Sequence, residues 1–95
     1  MSRLENGARF HQKVDIASAR RHYQEHLKRF PGDGRAIELQ SACYAAQGNI
    51  AEAEKTLSAL KSPNAPQLFA LGQYQAQSGL FEKAKISFRQ AIQLE

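Results

Sequence analysis

The chain has 95 residues, 42% of them hydrophobic, a net charge of +4 and a single cysteine. That length allows one domain with a small core, and the lone Cys43 excludes an internal disulfide. No apolar run approaches the roughly 18–20 residues of a membrane span, and the charge-studded opening does not resemble a signal peptide, so a cytoplasmic location without membrane insertion is the default expectation.

The positive excess is uneven. Residues 1–35 carry eight basic side chains against four acidic ones, and the remaining sixty residues carry five of each. Alanine, Gln, Glu, Leu and Lys dominate and β-branched residues are few, which favours helix. In chain order the periodicity and punctuation predict six helices, at about 4–13, 16–29, 35–47, 50–61, 65–78 and 81–94. Leu4, Ala8 and Phe10 mark the first. Ile16, Ala19, Tyr23, Leu27 and Phe30 stripe the second, which "PGDG" at Pro31–Gly34 ends, with Asp33 as N-cap of the next. Ile37, Leu39, Cys43 and Tyr44 mark the third. Gly48 suits the left-handed closure of that helix, and Asn49 with Glu52 three residues on has capping-box spacing for the fourth. The fourth carries Ile50, Ala53, Leu57 and Leu60. "SPNAP" at Ser62–Pro66 breaks the chain again, with Asn64 as a cap, before Leu68, Leu71, Gly72 and Ala76 of the fifth. Gly79 precedes the sixth, striped by Phe81, Ala84, Phe88, Ala91 and Ile92.

Helices this short, joined by short loops, lie antiparallel to their neighbours. No single pair buries enough apolar surface to offset roughly 1–2 kcal/mol of backbone entropy per residue. A row of stacked pairs can, because each covers its neighbour's open face.

The segments "AQGNIAEAEKTLSAL" and "AQSGLFEKAKISFRQA" say nearly the same thing twice, and the repetition resembles the tetratricopeptide repeat family, whose unit is a helix–turn–helix of about 34 residues. Leu71-Gly72, Gly79, Phe81, Ala84, Phe88 and Ala91 match the family pattern in a third unit; Tyr44, Gly48, Ala53 and Leu57 match it in a second; and Phe10, Ala19, Tyr23 and Pro31 match it in a first. Ala19 and Ala53 are 34 residues apart, but Ala53 and Ala84 only 31, so the middle unit lacks about one helical turn before Pro63. Val14 stands where a turn glycine is expected, His26 where a small residue is expected, and Gln40-Ser41 where Leu-Gly is expected. The resemblance implies an all-α, right-handed superhelical solenoid of three helix–turn–helix repeats, at about 1–33, 34–64 and 65–95, forming a single domain and a segment of a larger protein.

Sequences with chemical overtones are weaker. "HYQEH" at His22–His26 has the H-x-x-E-H spacing of inverted zinc proteases, but it offers no third protein ligand and no cleft. The basic group Arg20, Arg21, Lys28 and Arg29 reads as a solvated face without an aromatic platform for nucleic acid. Cys43 has Leu39 and Gln47 at helical spacing and no cationic neighbour there, which marks a packed thiol. No catalytic residue, metal site or cofactor is expected, and the chain reads as a non-enzyme.

In the resembling family the first helix of each unit lines a concave surface that binds extended peptides or partner helices. By helical phase that surface collects His11 and Gln12, then Arg35, Glu38, Ala42, Ala45 and Ala46, then Phe69, Gln73, Ala76 and Gln77. Alanines admit a partner backbone, Phe69 anchors an apolar side chain, and glutamines hydrogen-bond a peptide main chain. The Lys/Asn/Arg set with which some members grip acidic chaperone tails is absent; Leu4, Ala8, Leu39, Pro66 and Ala70 stand in those places. The expected role is a protein-interaction module for a mostly uncharged protein or peptide segment, with Arg35, Glu38, Ala42, Ala46, Phe69, Gln73 and Gln77 as its groove. A structural spacer in a larger assembly is the alternative, and a basic adaptor for nucleic acid ranks below both. Ile86, off its helix's stripe, and Ile92 mark an uncapped end open to self-association.

Overall fold

A computed structural model describes the backbone of residues 3–95 and the side chains of residues 15–95. The expectations for the side chains of Leu4, Ala8, Phe10, His11, Gln12 and Val14 lie outside the described residues. Among the described residues there are five helices and no strand: α1 Arg3–Arg29, α2 Gly34–Ala46, α3 Ile50–Leu57, α4 Ala65–Gln77 and α5 Phe81–Gln93.

The expected six helices are five. The two predicted at 4–13 and 16–29 are one unbroken helix of 27 residues. The reason is visible at the turns that do form. Gly48 and Gly79 take φ of 81° and 79°. Each closes its helix with a paired capping pattern: Gly48 N–H donates to Ala45 O at 2.9 Å and Asn49 N–H to Tyr44 O at 2.9 Å, while Gly79 N–H donates to Ala76 O at 3.1 Å and Leu80 N–H to Gln75 O at 2.8 Å. A β-branched residue in that left-handed conformation is strongly disfavoured. With valine at position 14, and neither glycine nor proline between Ala8 and Pro31, nothing stops the helix.

The second difference lies in α3. It ends at Leu57, a turn before the predicted end at 61. Short-range bonds from Ala59 N–H to Thr56 O and Leu60 N–H to Leu57 O unwind the chain there. The missing turn of the middle unit is this one.

The caps follow the sequence closely. Asp33 accepts from Arg35 and Ala36 N–H ahead of α2, Asn49 accepts from Glu52 N–H ahead of α3, and Asn64 caps α4. Glu52 does not reach back to complete the reciprocal box; its carboxylate lies 3.7 Å from Lys55 Nζ. Asn64 and Gln67 do form one, with Gln67 N–H donating to Asn64 Oδ1 at 2.8 Å and Asn64 N–H to Gln67 Oε1 at 2.9 Å.

Each helix packs on the next in sequence. The α4–α5 contact is the most extensive and α3–α4 the thinnest. Small residues set the spacing: Ala53, Ala84 and Ala91 are buried, as are Leu57 and Leu68. At Gly72 the helices α4 and α5 come so close that a Cβ would lie 2.7 Å from the Phe88 ring. Ser41, which replaces the corresponding glycine in α2, is fully buried and donates its hydroxyl to Glu38 O at 2.7 Å. The molecule measures 44 × 34 × 24 Å.

Candidate functional site

α2 and α4 carry every described residue of the expected groove. They are tied together by side chains. Gln67 Nε2 donates to Glu38 Oε1 at 3.0 Å, while the same amide's oxygen caps its own helix. Farther along, the Ser41 hydroxyl of α2 meets the Tyr74 phenol of α4. The two contacts run in the same order along both helices, so α2 and α4 point the same way. Arg35 Nη1 donates to the other oxygen of Glu38 at 3.2 Å.

Arg35, Ala42, Ala46, Phe69, Gln73 and Gln77 are exposed, and Glu38 is half-buried. Glu38 is therefore engaged on both oxygens, by Arg35 on its own helix and by Gln67 across the gap. Phe69 leaves half of its side chain exposed, and its ring leans on Phe88 of α5, with centroids 5.2 Å apart. Ala45 and Ala76 are half-buried beside these positions. At the N-terminal ends of α2 and α4 the surface deepens into a cleft of about 720 Å³, whose lining includes Arg35, Glu38, Leu60, Lys61, Asn64 and Gln67. Chemically the surface offers amides, small side chains and one aromatic face; it can hydrogen-bond a main chain and shelter an apolar side chain.

The burial of Tyr74 pushes its phenol pKa up, and the nearby Glu38 charge adds to this while Ser41 opposes it. Gln40, where the family has leucine, is buried with its Oε1 unpartnered among the described residues. A second polar chain crosses the other side of α4: Ser87 of α5 donates to Gln75 Oε1 at 2.7 Å, and Gln75 Nε2 donates to Glu54 Oε2 of α3 at 3.4 Å.

The residues of the H-x-x-E-H spacing are drawn to separate partners. Glu25 accepts from Lys28 at 3.1 Å. His26 Nε2 lies 2.6 Å from Asp33 Oδ2, and its ring stacks on Phe30 at 5.0 Å. This explains a large residue at a small-residue position: His26 fastens the end of α1 to the cap of α2. The contact holds the Asp33 carboxyl below its ordinary range, with the Ala36 N–H contributing in the same direction. Among the described residues no group of three His, Cys, Asp or Glu side chains is arranged to hold a metal ion.

The basic group is not wholly a solvated face. Arg20 lies over the Tyr44 ring at 5.1 Å and donates to Gln47 Oε1 at 3.1 Å. It also supplies Cys43 with the cationic neighbour that its own helix lacks. Burial outweighs that neighbour and pushes the thiol pKa up. Helical spacing within α2 could not reveal this contact, because it arrives from α1. The Glu38–Gln67 bond escaped the sequence for the same reason, because it joins side chains on different helices.

No curated protein matches the chain. A family model described as Tetratricopeptide repeat matches residues 10–71. The match takes in most of α1, all of α2 and α3, and α4 as far as Leu71, which is about two thirds of the sequence. With paired helices closed by glycine turns and small residues at the helix contacts, the chain belongs to the tetratricopeptide repeat family.

Proposed function

We propose that the chain is a protein-interaction module that takes a peptide segment or partner helix along the surface shared by α2 and α4. Repeats of this family generally mediate protein–protein interaction, and that general role is the background to the reading. The observation that carries it is the run of exposed Ala42, Ala46, Gln73 and Gln77 beside Phe69, on two helices that point the same way. Small side chains let a main chain approach, and amides without a charge of their own suit a mostly uncharged partner. The Glu38–Gln67 bond makes the surface rigid before a partner arrives, which lowers the entropic cost of binding. The three-repeat division at about 1–33, 34–64 and 65–95, with the chain as one domain of a larger protein, belongs to the same reading. So does a non-catalytic role for the chain. Arg20's engagement with Tyr44 and Gln47 leaves fewer free cations for nucleic acid, so that alternative stays below the protein-binding one.

The test is to select peptides from a random library on the wild-type chain and map the winners by NMR chemical-shift perturbation. Shifts should gather on α2 and α4. Ala42→Arg, which fills the surface without touching the core, should weaken selected peptides at least about tenfold, as should Gln73→Ala for those that use its amide. Peptides that bind both variants as well as wild type would overturn the proposal.

A further inference from the structure

α5 presents two faces. Ala84, Ser87 and Ala91 face α4 and are buried. Beside them Phe81, Lys85, Phe88 and Ile92 follow one another at intervals of four, three and four residues, the spacing of a helix–helix seam. Phe81 is 64% and Ile92 68% exposed, Phe88 is half-buried, and Phe69 of α4 extends the strip by leaning on Phe88. Ile86 is exposed as well, but at about 100° per residue it lies some 120° around the helix from Ile92. The two isoleucines expected together at an uncapped end therefore belong to different surfaces.

We propose that a second copy of this chain covers the strip, through antiparallel pairing of α5 with α5 of its partner. The seam is its own complement. Its four-three-four spacing reads the same in both directions, so an antiparallel copy sets Phe81 against the partner's Ile92 and Lys85 against the partner's Phe88. Each contact occurs twice, as two-fold symmetry requires. Antiparallel pairing also sets the two helix dipoles against each other, which favours it. Area agrees also. Taking about 200 Å² for a whole aromatic side chain, Phe69, Phe81, Phe88 and Ile92 leave on the order of 400 Å² of apolar surface open per copy. Two copies together bury about 800 Å², which is half of a standard interface of roughly 1,600 Å² and near the usual apolar share. The strip shares Phe69 with the proposed groove, but Phe81, Phe88 and Ile92 all lie on α5, so variants at Ile92 test the pairing apart from the groove reading.

Sedimentation equilibrium of the 95-residue chain tests it. The mass should rise from 10.6 kDa toward twice that value as concentration climbs from about 1 to 300 μM. Ile92→Glu should hold the monomer mass throughout with an unchanged helical circular dichroism spectrum, and Ile86→Glu should dimerise like wild type. In a Cys43→Ala background, a mixture of Phe81→Cys and Ile92→Cys chains should form the mixed disulfide in preference to either like pair. A wild-type chain that stays monomeric, an Ile92→Glu chain that still dimerises, or a dimer broken by Ile86→Glu instead would overturn the proposal. Preference for like disulfides would overturn the antiparallel register.

Discussion

Replacing Gly72 with alanine opposes two effects of known size. In an exposed helix the change stabilises by about 0.8–1.0 kcal/mol, because glycine gives up more backbone freedom on folding. Here the new methyl would stand 2.7, 2.8 and 3.0 Å from three carbons of the Phe88 ring. Carbon atoms sit comfortably at about 3.5–4.0 Å, so the ring must retreat by roughly 1 Å or the helices must part. Retreat also disturbs the Phe69 contact, where the ring centroids are 5.2 Å apart. Overpacking of this kind costs about 1–3 kcal/mol. The net expectation is a loss of about 1 kcal/mol, or a fall of about 4–8 °C in Tm for a domain of this size. Urea and thermal denaturation followed by circular dichroism measure it, and a second substitution isolates the cause. In a Phe88→Leu background the same Gly72→Ala change has room and should stabilise by up to about 1 kcal/mol, giving a coupling of about 1–2 kcal/mol. If Gly72→Ala stabilises the wild type as much as it does the Phe88→Leu variant, the close approach of α4 and α5 is not what selects glycine.

Three further outcomes follow from individual contacts. Gln40→Leu removes a buried carbonyl oxygen without a partner and restores the residue that the family pattern favours; it should stabilise by about 1–2 kcal/mol in urea denaturation, and a loss would mean that the amide is satisfied. Ser87→Ala strips the donor from buried Gln75 Oε1 and should cost about 1–3 kcal/mol, while adding Gln75→Leu to it should recover part of the loss. The Asp33 carboxyl, held below its ordinary 3.8 chiefly by His26, contributes stability that is complete above that unfolded value and is lost as pH falls through the lower folded one. The Tm advantage of wild type over His26→Ala should therefore shrink as pH drops from about 5 to 2, and a constant difference would show that the carboxylate's contact with His26 contributes nothing.

What could be read from the chain depended on whether the deciding interaction was local. Helix ends at Gly48, Asn49, Asn64 and Gly79 were legible because cap and turn chemistry involve residues within five positions of one another. The same logic, followed strictly, points to a continuous α1, since Val14 breaks no helix; the family pattern argued for a turn there, and local physics prevailed. The partial burial of Glu38, Ala45 and Ala76 departs from what helical phase gives, but the exposure of Arg35, Ala42, Ala46, Phe69, Gln73 and Gln77 was legible from it. What held Glu38 in place was not, because Gln67 is 29 positions away and meets it only once α2 and α4 lie side by side. Arg20 over Tyr44 and His26 on Asp33 were hidden likewise by the angle between α1 and α2, which no single-helix periodicity contains.

The short α3 raises the question of what keeps α4 in register with the helices before it. Ending at Leu57, α3 offers α4 the thinnest contact between helices that follow one another in the chain. Two directional links flank that contact. Gln67 reaches Glu38 on α2, and Gln75 reaches Glu54 on α3. The two glutamines lie eight residues apart, about 80° around α4 and about 12 Å apart along its axis, so one faces α2 and the other faces α3. A one-turn slide of α4 would break both links at once and leave the Nε2 groups of Gln67 and Gln75, two almost wholly buried residues, without acceptors. An apolar contact of the same area would tolerate the slide, because burial has no direction. The missing turn of α3 is therefore offset by specificity more than by area, and the surface shared by α2 and α4 keeps its shape through the bonds that fix this register.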